Sequence, residues 1–390
     1  MDGPLTGMRV VEVSSFVAAP LGGMTLAQLG ADVVRVDPLG GGVDHRRWPL
    51  AESGTSLYWA GLNKGKRSLC VDLRSAQGRE LVTRLVADSG ILLTNAAIRG
   101  LDHETLVKVR PDLIQLRITG RPDGSAAVDY TVNAELGFPL VTGPEDHAGP
   151  VNHVLPAWDI ACGLYAAIGI LGAELRRRAT GEGQSITLPL SDVALAMAGN
   201  LGFLAEAQFG GVRPRIGNHL YGSFARDFGT RDGHRVMVVA LTARHWTDLV
   251  GAAGLTGPVS ALESALGADF GLEADRYEHR EALAGLLHRW FAGRDLAEVT
   301  GSLKGTSVLW SVYRTFADVV ADEALRANPM MAVLDQPGIG RHLAPGSPLD
   351  FGDRAVVRAP VMGEHTDEIL RTRLGLDPDR ISALRDQGVI

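Results

Sequence analysis

Asp159 stands in the run Pro156-Ala157-Trp158-Asp159, where a loop-rich stretch gives way to a long apolar helix. A carboxylate at such a point has two uses. As an N-cap it accepts hydrogen bonds from the first N–H groups of the helix. As a nucleophile it is kept ionised by the helix N-terminus, attacks a carbonyl beside N–H donors that stabilise an oxyanion, and splits acyl transfer into covalent half-steps. Spacing alone leaves both open. His147 and His153 lie in the same loop. No serine sits in a strained elbow nearby, so a hydrolase triad finds no support, and His153 reads either as a hydrogen-bonding neighbour of the site or as a structural residue. Glu145, Asp146 and His147 are contiguous, and adjacent side chains rarely converge on one ion, so no metal site is expected.

Lys64, Lys66, Arg67 and Arg74 gather four cations beside a strand, as a solvated loop or an anion site. The stretch Gly61 to Ser68 imitates a phosphate-binding loop, but three residues separate its glycines where four are required, and Arg67 occupies the hydroxyl position. Asp37 ends a strand where dinucleotide-binding folds place a ribose-binding acid. The turn Ser14 to Pro20 before it lacks the glycine fingerprint, which argues against an NAD-dependent oxidoreductase. Cys70 and Cys162, the only cysteines, sit in apolar contexts and read as core.

Short apolar runs alternating with helical stretches supply the scaffold. Met8–Val13, Val33–Val36, Leu69–Leu73, Ile91–Thr94, Leu113–Ile118 and Ser185–Leu190 read as strands. Helices are expected near 21–29, 77–87, 101–109, 159–178 and 192–207. The alternation predicts an α/β fold with a doubly wound parallel sheet. At 390 residues the chain exceeds one usual core. We read residues 1–209 as the first part of a large domain, 210–325 as a smaller α+β domain opened by a hairpin at Arg231-Asp232-Gly233, and 326–390 as a return to the large domain. Glycine, at 48 residues against the roughly 27 of average usage, points to many short loops. A net charge of −7 argues against nucleic-acid binding by bulk charge. The uncharged apolar run Ile160–Ala173 is short for a membrane span of about 20 residues, and no export signal is evident, so a soluble, cytoplasmic protein is expected.

Several ordered blocks resemble the class III CoA-transferase family, the carnitine and bile-acid CoA-transferase type. They are PLTGMRVVEVSSFVAAPLGGMTLAQLGADVVRVDPLGGG, NKGKRSLCVDLRSAQGRELVTRLV, AWDIACGLYAAIGILGAELRRRATGEGQSITLPLSD, GTRDG and APVMGEHTDEIL, and together they cover nearly the whole chain. The resemblance implies a Rossmann-like large domain built from both chain ends, a smaller domain, and two chains threaded through each other as an interlocked homodimer. It implies that Asp159 is the nucleophile, that Val17, Arg35, Val71, Arg74 and Asn95 contact CoA, and that the CoA thioester is a substrate with no separate cofactor. Lys64 and Arg67 join the CoA contacts as part of the cationic segment.

Departures from the family narrow the reaction. Racemases of the family carry a His before an Asp in the segment matching Val128-Asp129, and Val128 cannot exchange a proton. Ala96 replaces an aromatic after the CoA-contacting Asn, and a family Arg aligns with His103. The segment from Val128 to Asp159 resembles the branch that moves CoA from one carboxyl of a branched, unsaturated C4 diacid to the other without an outside acceptor. The expected substrate pocket includes Asp129 and His153, with Arg46, Arg47 or Arg226 holding the second carboxylate. An intermolecular CoA-transferase is the alternative; a racemase, a non-catalytic acyl-CoA binder and an oxidoreductase stand behind it.

Overall fold

The computed structural model describes residues 3–352 and 355–390. Two compact units emerge: one contains the chain up to Leu136, His153–Ala205 and Glu323–Ile390, the other Gly137–Asn152 and Glu206–Asp322. The segment 137–152, read from sequence as part of the large domain, therefore belongs to the smaller unit.

The first unit is built on six parallel strands, β1 (Arg9–Val13), β2 (Asp32–Asp37), β3 (Arg67–Cys70), β4 (Ile91–Thr94), β5 (Ile114–Thr119) and β6 (Gln184–Pro189), in the order β3-β2-β1-β4-β5-β6. The apolar runs of β1, β2, β4 and β5 suit strands covered on both faces, whereas the edge strand β6 is exposed at Gln184, Ser185 and Thr187. The order reverses between β1 and β4, and in open parallel sheets ligands bind outside the strand carboxyl ends at that crevice. The helices between the strands are α1 (Ala18–Gln28), α2 (Leu57–Leu62), α3 (Ala76–Ser89) and α4 (His103–Leu106). Next come α5 (Asp129–Glu135), the short α6 (Phe138–Val141) of the second unit, α7 (Ala157–Thr180) and α8 (Leu190–Asn200). The helix expected over 192–207 stops at Asn200, because Gly202 adopts φ 83° and a new turn begins at Phe203. The core beneath α3 joins Val11, Val34, Leu69, Val82, Leu85 and Leu92 to Ile369, Leu370 and Leu384 of two closing helices, Thr366–Leu374 and Pro378–Asp386.

The second unit pairs β7 (Phe224–Gly229), β8 (Arg235–Ala240) and β9 (Leu309–Val312) in an antiparallel sheet. Phe224, Phe228, Trp246, Phe270, Leu287 and Phe291 fill its core. A hairpin, β10 (Met331–Gln336) and β11 (Gly340–Pro345), belongs to the first unit.

α7 is long and apolar enough by length and composition to cross a membrane. Here Cys162, Ala166, Ala167, Ile170 and Ala173 are buried along one side of it. Its approach to α1 is set by paired glycines. A Cβ on Gly163 would lie 2.6 Å from the Ala18 carbonyl oxygen and 3.0 Å from Leu21 Cβ, and one on Gly22 would lie 2.9 Å from the Gly163 carbonyl oxygen. This crossing fixes the starts of both helices side by side. Gly163→Ala is accordingly expected to destabilise the protein by about 1–3 kcal/mol through overpacking. Gly172→Ala on the same helix meets nothing within 4 Å and should be neutral or stabilising by about 0.5–1 kcal/mol. Urea unfolding of both variants checks the contrast.

Candidate active site

The starts of α1 and α7 meet at the carboxyl edge of the sheet, beside a cavity of about 500 Å³. Ser15 to Ala18 follow β1, Asn95 and Ala97 follow β4, Thr119 and Gly120 end β5, and Asp159 closes the wall with Asp129, Tyr130 and Arg47. The loop after β1 is shaped by Asn95, whose Oδ1 accepts from Ser15 N–H at 3.1 Å and whose Nδ2 donates to the Ser15 carbonyl at 2.8 Å. That clamp holds Phe16 at φ 65°, the only non-glycine positive φ among the described residues. A side-chain-bearing residue there stores about 1–3 kcal/mol of strain that its surroundings must offset.

α7 begins at Ala157, so Asp159 is in its first turn and is not the cap. The capping acceptor is Asp129, whose Oδ2 takes the N–H groups of Trp158 (2.8 Å) and Asp159 (3.2 Å). Its Oδ1 lies 2.7 Å from His153 Nε2. The Asp159 carboxylate itself has no hydrogen-bond partner among the described residues and faces the cavity. Burial pushes its carboxyl up to about 6, the Asp129 charge adds to the shift, and Arg47 opposes it. Arg47 lies over Tyr58 at 4.8 Å and over Phe16 at 5.5 Å, with no ion pair among the described residues. The Tyr58 hydroxyl is raised by burial, with Arg47 opposing and Asp159 contributing. An uncommitted carboxylate, an unneutralised guanidinium and a walled cavity suit nucleophilic attack on an anionic acyl compound. Among the described residues no group of three or more His, Cys, Asp or Glu is arranged to hold a metal.

The model of CoA-transferase family III matches residues 5–366. The chain belongs to that family. A 2-methylfumaryl-CoA isomerase of Chloroflexus aurantiacus is 51% identical across all of this chain and 98% of its own length. A succinyl-CoA:mesaconate CoA-transferase of Haloarcula hispanica is 30% identical over 94% of this chain and 96% of its own. The crystal structure of a CAIB/BAIF family protein from Brucella suis superposes with TM-score 0.79 at 29% identity, over 97% of this chain and all of that one.

Of the site residues expected for this CoA-transferase, Asp159, Val17, Asn95, Arg47 and Asp129 line one cavity, and His153 bonds to Asp129. Arg35 lies apart from these. Its guanidinium is buried, bonded to Asp37 (2.9 Å) and Asp44 (2.7 Å), with Glu12 at 3.7 Å. Val71 likewise puts its side chain in the core under α3. Lys64 donates to the Gly61 carbonyl and opens onto two other cavities that exclude Asp159. Arg67 starts β3, at the amino edge of the sheet, and pairs with Asp32 and Glu368. Arg74 is 91% exposed, beyond the other end of that strand, and pairs with Asp72. Arg226 belongs to the second unit, where it pairs with Glu281. Asp129 is not a free substrate ligand, since both its oxygens are engaged. Sequence reasoning missed Arg117, Tyr130 and Tyr58. Arg117 did carry a signal, as a cation in the apolar run LIQLRIT, and it lines both the Asp159 cavity and a recess of about 260 Å³ shared with Arg99.

Asp159 titrates near 6 in the folded protein against an ordinary 3.8, so the folded state takes up a proton as pH falls through 6. Its ionised form therefore lowers stability above pH 6, and that loss disappears toward pH 4. Asp159→Asn is expected to raise stability at pH 8 by about 1–2 kcal/mol, discounted for its partial exposure, and to give no gain at pH 4. Thermal melts across pH check this.

Proposed function

We propose that this class III CoA-transferase is an isomerase that moves CoA from C1 to C4 of 2-methylfumaryl-CoA, through an Asp159 acyl intermediate. The observation that carries the reading is the unshared Asp159 carboxylate facing a cavity beside Arg47, in a chain half identical to an isomerase of that name. Asp159 attacks the thioester carbonyl, forming an O–C bond while the C–S bond breaks and its electron pair leaves as thiolate. The thiolate then attacks the aspartyl carbonyl, giving aspartyl-CoA and the free diacid. If the diacid turns within the closed site, its other carboxylate reverses both steps. Nothing is oxidised or reduced. Arg47 holds the carboxylate that is not reacting, and Arg99 with Arg117 offers cations to the CoA phosphates. Val128, 58% exposed at the cavity wall, supplies no acid or base for racemisation.

The Haloarcula relative favours a second reading, intermolecular transfer to an added acid. The protein incubated with 2-methylfumaryl-CoA alone should yield the isomer by chromatography, and conversion only on adding a carboxylic acid would support the second reading. Asp159→Ala is expected to abolish turnover, and a hydroxylamine-trapped acyl group on any other residue would refute the covalent scheme. Arg47→Ala should raise KM by roughly 10- to 100-fold, with Arg47→Lys restoring only part of it.

A homodimer, interlocked as the family resemblance implies, accounts for Leu164, Ile168 and Leu175, which remain exposed along α7. Sedimentation at micromolar concentration should give twice the 41.4 kDa chain mass. With its apolar flank devoted to such packing, α7 serves a cytoplasmic enzyme and not a membrane.

A further inference from the structure

We propose that Asp129 is the positioning residue of the transfer reaction: its buried carboxylate caps α7 in place of Asp159, and His153 holds it in that role. The proposal rests on the covalent reading above and assigns what makes Asp159 available for it. A carboxylate in the first turn of a helix ordinarily folds back on the N–H groups there. In this chain two of those groups, on Trp158 and Asp159, already end on Asp129 Oδ2. Pro156, in the cap position, has no side chain able to accept them. Asp129 reaches them from the first position of α5, whose start is fixed by Thr131 Oγ1 accepting from Val128 N–H at 3.0 Å. Its second oxygen is tied to His153 at 2.7 Å, and Trp158 Nε1 donates to Asn133 Oδ1 at 3.1 Å, joining α5 to α7 a second time. The carboxylate is 2% exposed. Both of its oxygens are engaged within the fold.

The arrangement also acts on charge. When Asp159 acylates, its negative charge passes to the departing sulfur, so the repulsion from Asp129 present in the resting enzyme is relieved. The raised Asp159 carboxyl agrees with this. The other titratable groups around the pair are Tyr130 on α5, His153 before α7, Cys162 on α7, Arg47 and Arg117 on the cavity wall, and Tyr58 stacked under Arg47.

The test compares Asp129→Asn with Asp129→Ala in the full-length enzyme, reading amide hydrogen exchange at residues 158 and 159, kcat and KM for 2-methylfumaryl-CoA, and the acid limb of kcat. Asp129→Ala should speed exchange at both amides at least about 10-fold and lower kcat roughly 100-fold, with KM changed by less than about 3-fold. Asp129→Asn keeps an acceptor oxygen and loses the charge. It should retain protection and most of kcat while its acid limb moves about one pH unit lower. Unchanged exchange or wild-type kcat in Asp129→Ala overturns the proposal, as does an Asp129→Asn enzyme with protected amides and the activity of the Ala variant. If Asp129→Ala does not fold, the Asn variant decides through exchange and the acid limb. If the wild type does not turn over 2-methylfumaryl-CoA, the substrate reading fails, and the exchange data still decide who caps α7.

Discussion

The first turn of every helix leaves backbone N–H groups without intrahelical partners, and something must accept them. In α7 the acceptor for two of them comes from 30 residues upstream, on a separate helix, at 2.8 and 3.2 Å. Had the nearest carboxylate done this work, Asp159 would be a structural residue and the cavity beside it would hold no nucleophile. Because Asp129 does it, the reactive oxygens are left facing the cavity at the same helix end, where the dipole still favours negative charge. The glycine crossing of α7 on α1 then brings that end against the loop after β1. Helix contact, cap and cavity wall are thus one geometric problem with one solution.

A second constraint lies below the loop. Glu12, Arg35, Asp37, Asp44 and Lys66 are buried together at the β1–β3 side of the sheet. Burial works against the Arg35 charge, yet the surrounding carboxylates hold its pKa above the ordinary value. Burial brings the Lys66 ammonium down to about 8, with Glu12 opposing. Such a cluster contributes little net stability compared with apolar packing, but removing one member strands the rest, at about 3–5 kcal/mol. Its use is geometric. Arg35 Nη2 donates to the Ser14 carbonyl and Ser14 Oγ to Glu12, so the network grips the loop on one side as Asn95 grips it on the other. Gly23 is required here, since a Cβ would overlap the Glu12 carboxylate.

Legibility in the sequence followed the range of the interactions. Strands buried on both faces are apolar runs, and β1, β2, β4 and β5 lie where those runs lie. Asp159 was visible as a chemically unusual residue at a helix start, though not its freedom, because the cap that frees it is distant in sequence and spacing has no access to such a partner. Arg35 and Asp37 each looked like a ligand-binding residue, and only the fold shows that they bind each other. The cationic run 64–74 read as one patch, but a strand carries its two ends to opposite edges of a sheet, so Arg67 and Arg74 cannot serve one ligand. Residues 137–152 look like any long loop, and no local signal tells which unit a loop joins.

The distribution of unpaired charge follows from the same logic. In a protein of net charge −7, long-range attraction for an anionic thioester cannot come from bulk charge, so it must be local. Most arginines of the first unit are committed: Arg35 to three acids, Arg67 and Arg373 to Asp32, Arg177 to Glu174. Arg47, Arg99 and Arg117 have no ion pair among the described residues, and all three line the Asp159 cavity or the recess adjoining it. At an effective dielectric near 20, an unpaired cation about 4 Å from a carboxylate or phosphate is worth on the order of 4 kcal/mol before desolvation. Cations already neutralised elsewhere in the fold provide almost none of that. The acids that surround Arg35 and Arg67 are spent on those two side chains, so the guanidinium charge lining the cavity stays available to a bound anion.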